Sequence, residues 1–375
     1  MNFQSYVEAI AGLESAFIGY AVKANNNMHV LRHLASLGSG AVLVSGNEIR
    51  VALRAGFSPS KMVFNGNGKL QEDLNLAVDN EILVNIDSEF DLEHIIQAAK
   101  YTGKRARALL RINPDIDPKV HPYVSTGLAD SKFGIENDKI DNYLQRIKEC
   151  EEYIQLLGVH CHIGSTIKEV GIFKDAAAIM AGFVKQIRAE GFDLQYLNLG
   201  GGLGIDYDRQ GKADIPTPKD LLDEIRQQIL DMNLKLIIEP GRSLVGNTSI
   251  FVSKVIGVKS NGNKNFIVVD GSMSELIRPS LYGAYHHIEL AEPSTGEEKE
   301  FDVVGPVCES ADFLGKARKL PTPKENDCLV VYDAGAYCQA MSSSYNLRLT
   351  CAEYWVEGSD LRQIRKAQDL DLFLE

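Results

Sequence analysis

Residues 17–25, Phe-Ile-Gly-Tyr-Ala-Val-Lys-Ala-Asn, form an apolar, β-favouring run that leads into a lysine. A lysine in an apolar site loses part of its ammonium's hydration, and its neutral amine can form a Schiff base with an aldehyde. A lysine that extends its charge into water, or forms a salt bridge at a strand end, explains the same segment. This stretch alone leaves both interpretations open, and the rest of the chain distinguishes them.

Seven further short apolar runs follow the first one, and helical patterns separate most of them. The predicted strands are Phe17–Lys23, Ala41–Ser45, Met62–Asn65, Ile82–Ile86, Ala106–Ile112, Leu156–Ile163, Tyr196–Leu199 and Leu234–Glu239. The intervening helical patterns include Met28–Leu37, Leu70–Val78, Phe90–Lys100, Phe173–Ala189 and Pro218–Leu230. Eight strand-then-helix units in about 245 residues predict an α/β fold, a closed (β/α)8 TIM barrel rather than an open doubly wound sheet.

The pattern changes from about Phe251, where strands follow one another without helices. The predicted strands are Phe251–Val258, Phe266–Val269, Phe301–Val304, Leu329–Tyr332 and Tyr345–Leu349, with Gly, Pro, Asn and Ser clusters between them. Such spacing is typical of an all-β domain, a β-sandwich or small barrel. We therefore expect a barrel domain over residues 1–247 and a C-terminal β-domain over residues 248–375.

The composition favours a protein that acts on small molecules. The 375 residues carry a formal charge of −12 and are 45% hydrophobic. Clustered Lys and Arg, which a nucleic-acid or membrane surface requires, are not found, so neither partner is expected. The six cysteines lack CxxC spacing, which predicts no metal site and a reducing compartment. The first residues resemble neither a signal sequence nor a transit peptide, so we expect a protein that is not secreted.

Unusual residues follow the sixth, seventh and eighth predicted strands, at the barrel end where enzymes of this architecture build their sites. His160-Cys161-His162-Ile163-Gly164-Ser165 ends the sixth, Gly200-Gly201-Gly202 follows the seventh, and Glu239-Pro240-Gly241-Arg242 ends the eighth. Consecutive glycines let backbone amides approach a phosphate closely. A glycine run is usually only a turn, but its position after strand seven favours a phosphate site.

Two side chains in these segments have more than one interpretation. Glu239 should lie at the mouth of an apolar barrel, where a carboxylate needs a positive partner, either a protonated pyridine nitrogen or Arg242. His160 and His162 are spaced to face the same side, which suits a metal as well as a flat platform for a cofactor ring. Because no acidic residue stands beside them, we favour His162 as the platform; a core histidine is the simpler alternative.

Taken together, these motifs resemble the pyridoxal-phosphate decarboxylases that combine a (β/α)8 barrel with a β-domain, the alanine-racemase-like fold. The resemblance covers nearly the whole chain and is greatest to the diaminopimelate decarboxylase subfamily, especially its plant-type branch. The long interval Asn113–Lys139 is expected to be functional. The segments that carry the subfamily resemblance are Asn113-Pro114-Asp115, His121–Gly127, Ser131-Lys132-Phe133-Gly134, Ile277–Tyr282 and Gly305–Asp312.

The resemblance implies a role for each matching residue. Lys23 would bind pyridoxal 5'-phosphate covalently, His162 would stack on its ring, and Glu239 would pair with its pyridine nitrogen. The residues implied around its phosphate are Ser165, Gly200, Gly201, Gly202, Gly241, Arg242 and Tyr337. Those implied for the substrate are Arg242, Arg278, Tyr282, Glu309 and Tyr337, with Cys308 as the proton donor. Cys308 and Glu309 would serve the neighbouring subunit's site, which implies a homodimer with shared active sites.

The function expected from this resemblance is decarboxylation of meso-2,6-diaminopimelate to L-lysine, in the cytoplasm or, for a plant protein, the plastid stroma. A decarboxylase of ornithine, arginine or carboxynorspermidine is the alternative within the same fold. Arg278 favours the first, because a tail that carries a carboxylate requires an arginine. A non-catalytic cofactor carrier or regulator would be expected to lack Lys23 or Cys308, and both are present.

Overall fold

A computed structural model describes residues 1–121, 127, 131–209 and 215–374. The chain separates into two compact units, Met1–Gly204 with Ile215–Leu244, and Ile205–Asp214 with Val245–Glu375. The sequence motif at His121–Gly127 lies partly outside the described residues, since residues 122–126 are not among them.

The first unit contains a closed barrel of eight parallel strands in sequential order, which confirms the predicted TIM barrel. Its strands are β1 Phe17–Ala21, β2 Gly40–Leu43, β3 Met62–Phe64, β4 Leu83–Ile86, β5 Ala106–Arg111, β6 Ile154–His160, β7 Tyr196–Asn198 and β8 Lys235–Ile238. Closure is made by β1 against β8, where Phe17 pairs with Ile237 and Ile18 with Ile238. All the strand ends that precede the candidate site residues therefore meet at one rim of the barrel.

Helices follow most of these strands, and several of them begin at a side-chain cap. They are α1 Asn2–Ala9, α2 Met28–Ser36, α3 Gly46–Ala55, α4 Gln71–Asp79, α5 Glu89–Thr102, α6 Ile140–Glu149, α7 Gly171–Ala189, α8 Pro218–Met232 and the short α9 Arg242–Val245. The Ser45 side chain caps α3 by accepting from the Glu48 amide. Thr217 and Asp220 form a capping box on α8, which also has proline at its first position. The five helical patterns predicted from sequence coincide with α2, α4, α5, α7 and α8.

One layer of the barrel interior is filled by one side chain from each strand. Its buried members are Phe17, Val42, Val63, Leu83, Leu109, Leu157 and Ile237, with Tyr196 packed against them. This apolar layer closes the barrel, as is usual for this architecture, so the interior is a packed core and not a channel. The polar residues at the strand ends rest on this rigid base.

The second unit is built mainly of strands, as predicted. Its strands are β9 Phe251–Asn261, β10 Lys264–Val269, β11 Ile288–Leu290, β12 Glu298–Val304, β13 Phe313–Pro321, β14 Cys328–Val331, β15 Glu353–Glu357 and β16 Asp360–Arg365, with α10 at Arg278–Tyr282. The first six form one mixed sheet in the order β11-β14-β9-β10-β12-β13, and β15 pairs with β16 as a hairpin. The core of this unit includes Val255, Ile267, Phe301, Leu314 and Val331.

The prediction of a strand at Tyr345–Leu349 is wrong. Residues Tyr345–Leu347 form a short 3-10 turn in which Asn346 has a φ of 56°, and Leu347 has a φ of 53°. Positive φ values are incompatible with a β-strand, so the local aromatic and aliphatic residues misled the pattern. Within the described part of the chain, no helix is long and apolar enough to cross a bilayer.

Candidate active site

The sequence predicted that Lys23 ends the first strand, but in the structure the strand stops before it. β1 ends at Ala21, and Lys23 lies in the 3-10 turn Val22–Ala24 that follows. Its side chain is exposed, so the barrel itself does not strip the ammonium of water, contrary to the expectation of an apolar site. The turn is anchored by Tyr20, whose hydroxyl donates to the Asn25 carbonyl over 2.9 Å. The amine is therefore accessible at the barrel rim.

Glu239 follows β8 and is buried among amide side chains from other strands. Its Oε1 accepts from Asn198 Nδ2 over 2.7 Å and from Asn65 Nδ2 over 3.0 Å, and Asn65 also reaches Oε2 at 3.1 Å. The Asn85 side-chain amide donates in turn to Oδ1 of Asn65. His160 Nε2 lies 3.5 Å from Oε2. The Asn65 and Asn198 amides thus hold the carboxylate in one orientation, and each has a further partner, Asn85 for Asn65 and the Gly200 amide for Asn198.

The surroundings of Glu239 decide its charge. Burial alone would raise the pKa of this carboxyl, but His160 and then the Asn198 amide lower it more, and its pKa falls to about 2. Burial lowers the pKa of His160, and the neighbouring Glu239 carboxylate opposes that shift. Glu239 is consequently a buried negative charge throughout the neutral pH range, ready to pair with a cationic group.

The glycine run after β7 allows the backbone to approach its neighbours more closely than any other residue would. A Cβ on Gly201 would overlap the Glu239 carbonyl oxygen and lie 2.8 Å from the carbonyl carbon. Gly200 and Gly202 have φ values of 67° and 127°, and a Cβ on Gly202 would lie 2.5 Å from the Gly164 oxygen. These positions need glycine, because the backbone passes too close to its neighbours for a side chain and, at Gly200 and Gly202, has a positive φ.

His162 is partly buried, and its Nδ1 lies 3.2 Å from the backbone nitrogen of Gly201, which donates to it. Nδ1 is therefore an acceptor and carries no proton. Burial, followed by the positive charges of Lys23 and Arg111, holds the pKa of His162 well below its usual range. A neutral, flat ring fixed beside the glycine run suits a stacking surface.

Ser165 and Arg242 come together across the same rim. The Ser165 hydroxyl oxygen accepts from Arg242 Nε at 3.3 Å and from Nη2 at 3.1 Å. Arg242 is only 6% exposed. Gly241 immediately precedes it, so one short segment contributes both a small residue and a buried cation, a combination that suits an anion such as phosphate.

The remaining predicted residues belong to the second unit. Arg278 and Tyr282 lie on α10; Arg278 is buried and Tyr282 partly buried. Cys308 and Glu309 lie between β12 and β13 with exposed side chains, and the Cys308 amide donates to Asn346 Oδ1 over 2.7 Å. Tyr337 is partly buried, with a φ of 58°.

Among the described residues, no group of three or more His, Cys, Asp and Glu side chains is arranged to hold a metal ion. The described contacts of the HxH motif are instead polar ones within the barrel: His160 approaches Glu239, and His162 accepts from Gly201. These contacts favour the platform interpretation of His162 over the metal interpretation.

Comparison with known proteins identifies the class. Residues 2–246 match the family model for the pyridoxal-binding domain of pyridoxal-dependent decarboxylases. The chain belongs to this family. It shares 60% identity over 376 residues with the probable chloroplastic diaminopimelate decarboxylase of Oryza sativa subsp. japonica, covering 100% of this chain and 76% of the rice protein.

More distant relatives point to the same subfamily. The diaminopimelate decarboxylase of Aquifex aeolicus is 41% identical, over 100% of this chain and 88% of that protein. The Helicobacter pylori diaminopimelate decarboxylase, solved with L-lysine, superposes with a TM-score of 0.94 at 37% identity, covering 100% of this chain and 93% of the other. Within its family, the chain belongs to the diaminopimelate decarboxylases.

The residues on the barrel rim fit pyridoxal 5'-phosphate. Glu239 is a buried anion suited to a protonated ring nitrogen, and the glycine run leaves no side chain beside it, because a Cβ at Gly201 or Gly202 would overlap neighbouring backbone atoms. Arg242 with Ser165 supplies donors for a phosphate. Sequence reasoning did not identify Asn65, Asn85 and Asn198, although an asparagine at the end of an apolar barrel strand is a signal that could have found them.

Proposed function

We propose that the chain catalyses the pyridoxal-phosphate-dependent decarboxylation of meso-2,6-diaminopimelate at its D-centre, producing L-lysine and CO2 as the last step of lysine biosynthesis. Family membership supports the reaction class. The observation that carries the proposal is the buried Glu239 carboxylate, which the Asn65 and Asn198 amides hold in place. Such a carboxylate can hold a pyridine nitrogen in its protonated form.

When bound, the cofactor supplies an electron-poor ring that accepts the electron pair left by CO2. Lys23 would hold it covalently through its amine, Glu239 through its ring nitrogen, and His162 by stacking. Ser165, Gly200, Gly201, Gly202, Gly241, Arg242 and Tyr337 are the residues proposed around the phosphate. The three asparagines beneath Glu239 keep its oxygens in place, so little reorganisation is needed when a cation binds.

Substrate selection is assigned to Arg242, Arg278, Tyr282, Glu309 and Tyr337. Diaminopimelate differs from ornithine and arginine in carrying a carboxylate as well as an amine at its far end. Arg278 can bind that carboxylate through two parallel hydrogen bonds. The residue is only 3% exposed, so little water competes and each bond is stronger. Tyr282 and Tyr337 would contribute hydroxyl groups, and Glu309 would accept from the distal amine.

Cys308 is assigned the final proton transfer. Its thiol is free and exposed, and the backbone amide of the same residue is fixed by Asn346. The thiol would deliver its proton to the carbon that has lost its carboxylate, which would form the new C–H bond of the product and leave a thiolate.

The active form is proposed to be a homodimer in which Cys308 and Glu309 of one chain serve the substrate bound to Lys23 of the other. In support, Val252, Ile256 and Val258 have exposed side chains on β9, in a row that also includes the exposed Lys254. A mostly apolar row of this kind on a sheet is typical of a surface that another chain covers. The small-molecule substrate and the second copy are the only partners proposed.

For the compartment we propose the cytoplasm or the plastid stroma. All six cysteines are free, which agrees with a reducing environment. The rice relative is named as a chloroplastic protein.

The decisive experiment measures CO2 release by purified protein with added pyridoxal phosphate from meso-diaminopimelate, L-ornithine and L-arginine. We expect kcat/KM for diaminopimelate to exceed the others by about a hundredfold or more, because a site built for a carboxylate rejects a substrate that lacks it. The Lys23→Ala protein is the blank. Equal or faster release from ornithine or arginine would overturn the proposed substrate.

A further inference from the structure

We propose that His286 and Tyr207 are positioning residues that fix the plane of the Arg278 guanidinium and so determine selectivity for a carboxylate-bearing tail. This inference rests on the proposed function, which makes Arg278 the reader of the distal carboxylate. All three residues belong to the second compact unit, although Tyr207 follows β7 in the chain.

The hydrogen bonds around His286 define its protonation. Arg278 Nη1 lies 2.6 Å from His286 Nε2. An arginine can only donate, so Nε2 must be the acceptor and carries no proton. Nδ1 lies 2.8 Å from the Tyr332 carbonyl oxygen, which can only accept, so Nδ1 carries the proton. The backbone of residue 332 therefore selects the tautomer that receives Arg278.

His286 holds the guanidinium without adding a negative charge beside it. His286 is fully buried and uncharged in this tautomer, so it takes one N–H of Arg278 and leaves the positive charge in place. A carboxylate at position 286 would compete directly with the substrate carboxylate. A neutral acceptor orients the arginine yet preserves its attraction for an anion.

Tyr207 covers a face of the same group. The Arg278 Cζ lies 4.5 Å from the centre of the Tyr207 ring, and that ring meets His286 edge-on at 5.1 Å. An aromatic ring restrains a guanidinium from its face, whereas the parallel donors that a carboxylate would bind lie on its edge. Together, His286 restrains rotation in the plane and Tyr207 restrains tilt out of it.

A pair of amide substitutions separates the two hydrogen bonds of His286. The Gln in His286→Gln can place an oxygen near the Nε2 position and accept from Arg278. The amide in His286→Asn reaches only the Nδ1 position, so it can keep the bond to Tyr332 but loses Arg278. The neighbouring His287 lies 3.4 Å from Glu289 and serves as the matched control in His287→Asn.

The measurement is binding of L-lysine and of cadaverine, which lacks the carboxylate, to each holoenzyme by calorimetry, with kcat and KM for diaminopimelate alongside. In His286→Asn we expect the lysine-to-cadaverine affinity ratio to fall about tenfold or more, since a charge-assisted bond is misaligned. KM should rise more than kcat falls. His286→Gln should keep most of the wild-type lysine-to-cadaverine ratio, and His287→Asn should keep all of it. The ratio should fall further in Tyr207→Leu than in Tyr207→Phe.

The outcomes separate this inference from the proposed function. If the wild type releases CO2 from diaminopimelate but His286→Asn keeps the wild-type affinity ratio, the positioning role is wrong. Equal losses in the Gln and Asn variants would also overturn it, because they would reflect general disruption. A wild type without diaminopimelate turnover would overturn the proposed function and this inference with it.

Discussion

Asn198 Nδ2 lies 2.7 Å from Oε1 of Glu239, and Oδ1 of the same amide accepts from the backbone nitrogen of Gly200 over 2.9 Å. One buried side chain thus links the carboxylate proposed for the ring nitrogen to the glycine run proposed for the phosphate. A shift of the carboxylate or of the glycine run would therefore disturb the other, so Asn198 couples the two parts of the site.

The first prediction tests the coupling through Asn198. Asn198→Ala leaves both the Gly200 N–H and a Glu239 oxygen without this partner, which should lower the free energy of unfolding by about 1–3 kcal/mol. Urea unfolding of the cofactor-free protein measures the loss, and pyridoxal phosphate titration should show weaker binding. Asn142→Ala, at an exposed position on α6, is the control and should change neither. Full cofactor affinity in Asn198→Ala would contradict the coupling.

The second prediction concerns pH. The folded-state pKa of Glu239 is about 2 against an ordinary value of 4.5. A lowered carboxyl pKa stabilises the folded protein above pH 4.5, and that stabilisation is lost as the pH falls towards 2. The unfolding free energy of wild type minus that of Glu239→Gln should therefore shrink by about 2 kcal/mol between pH 5 and pH 3. Urea midpoints of both cofactor-free proteins give this difference, and a pH-independent difference would disprove the assigned ionisation.

The third prediction uses two glycines in different settings. The added Cβ in Gly201→Ala meets the Glu239 backbone, so the strand ends must separate, which should cost about 1–3 kcal/mol and abolish cofactor binding. Gly182 lies within α7, and a Cβ added there would meet no heavy atom within 4 Å outside its own helix backbone and chain neighbours. Gly182→Ala should therefore raise the unfolding free energy by about 0.5–1 kcal/mol. Equal behaviour of the two variants would show that the close approach has no consequence.

The barrel could be predicted from sequence because its strands are short apolar runs between helices, and each observed strand overlaps its predicted one. Lys23 was wrongly assigned to the first strand because the apolar pattern continues through Val22, whereas the backbone already turns after Ala21. β13, Phe313–Pro321, was not predicted because lysine and arginine occupy several of its positions. It lies at the edge of its sheet, where charged residues are tolerated.

The contacts inside the site could not be predicted in the same way. Asn65, Asn198 and Glu239 are separated by up to 174 residues, and only barrel closure brings them within hydrogen-bond distance. The tautomer of His286 likewise depends on the carbonyl of Tyr332, far along the chain. Sequence pattern indicates which strand ends carry polar residues, whereas the register of the closed barrel decides which of them meet.

The fourth prediction concerns Arg278. Arg278→Ala should lower kcat/KM for diaminopimelate by roughly 30- to 1000-fold, because the distal carboxylate loses its paired donors. Arg278→Lys should recover little, since an ammonium cannot supply the planar fork. Cofactor affinity should barely change in either variant. Arg365→Lys, at an arginine that pairs with Glu353 over 3.3 Å in the β15–β16 hairpin, is the control. Near-normal kcat/KM in Arg278→Ala would remove this residue from the substrate site.

The last prediction tests the shared site. Lys23→Ala and Cys308→Ala should each be inactive, because one removes the cofactor-binding amine and the other the proton donor. If each site takes Lys23 from one chain and Cys308 from the other, a mixed dimer contains one intact site and one doubly defective site. Equal mixing produces mixed dimers as half of the population, so about a quarter of wild-type activity should return. If both residues serve the same chain, every mixed site keeps one defect.

Two differently tagged chains make this experiment decisive, because copurification demonstrates that subunits have exchanged. The control replaces the Cys308→Ala partner with a Lys23→Ala/Cys308→Ala double variant, in which no combination restores a site. Cys308 suits the test because its side chain is exposed and its backbone is held by Asn346, so alanine removes the thiol without opening a cavity. Verified exchange without recovered activity would place Lys23 and Cys308 in the site of a single chain and rule out the shared arrangement.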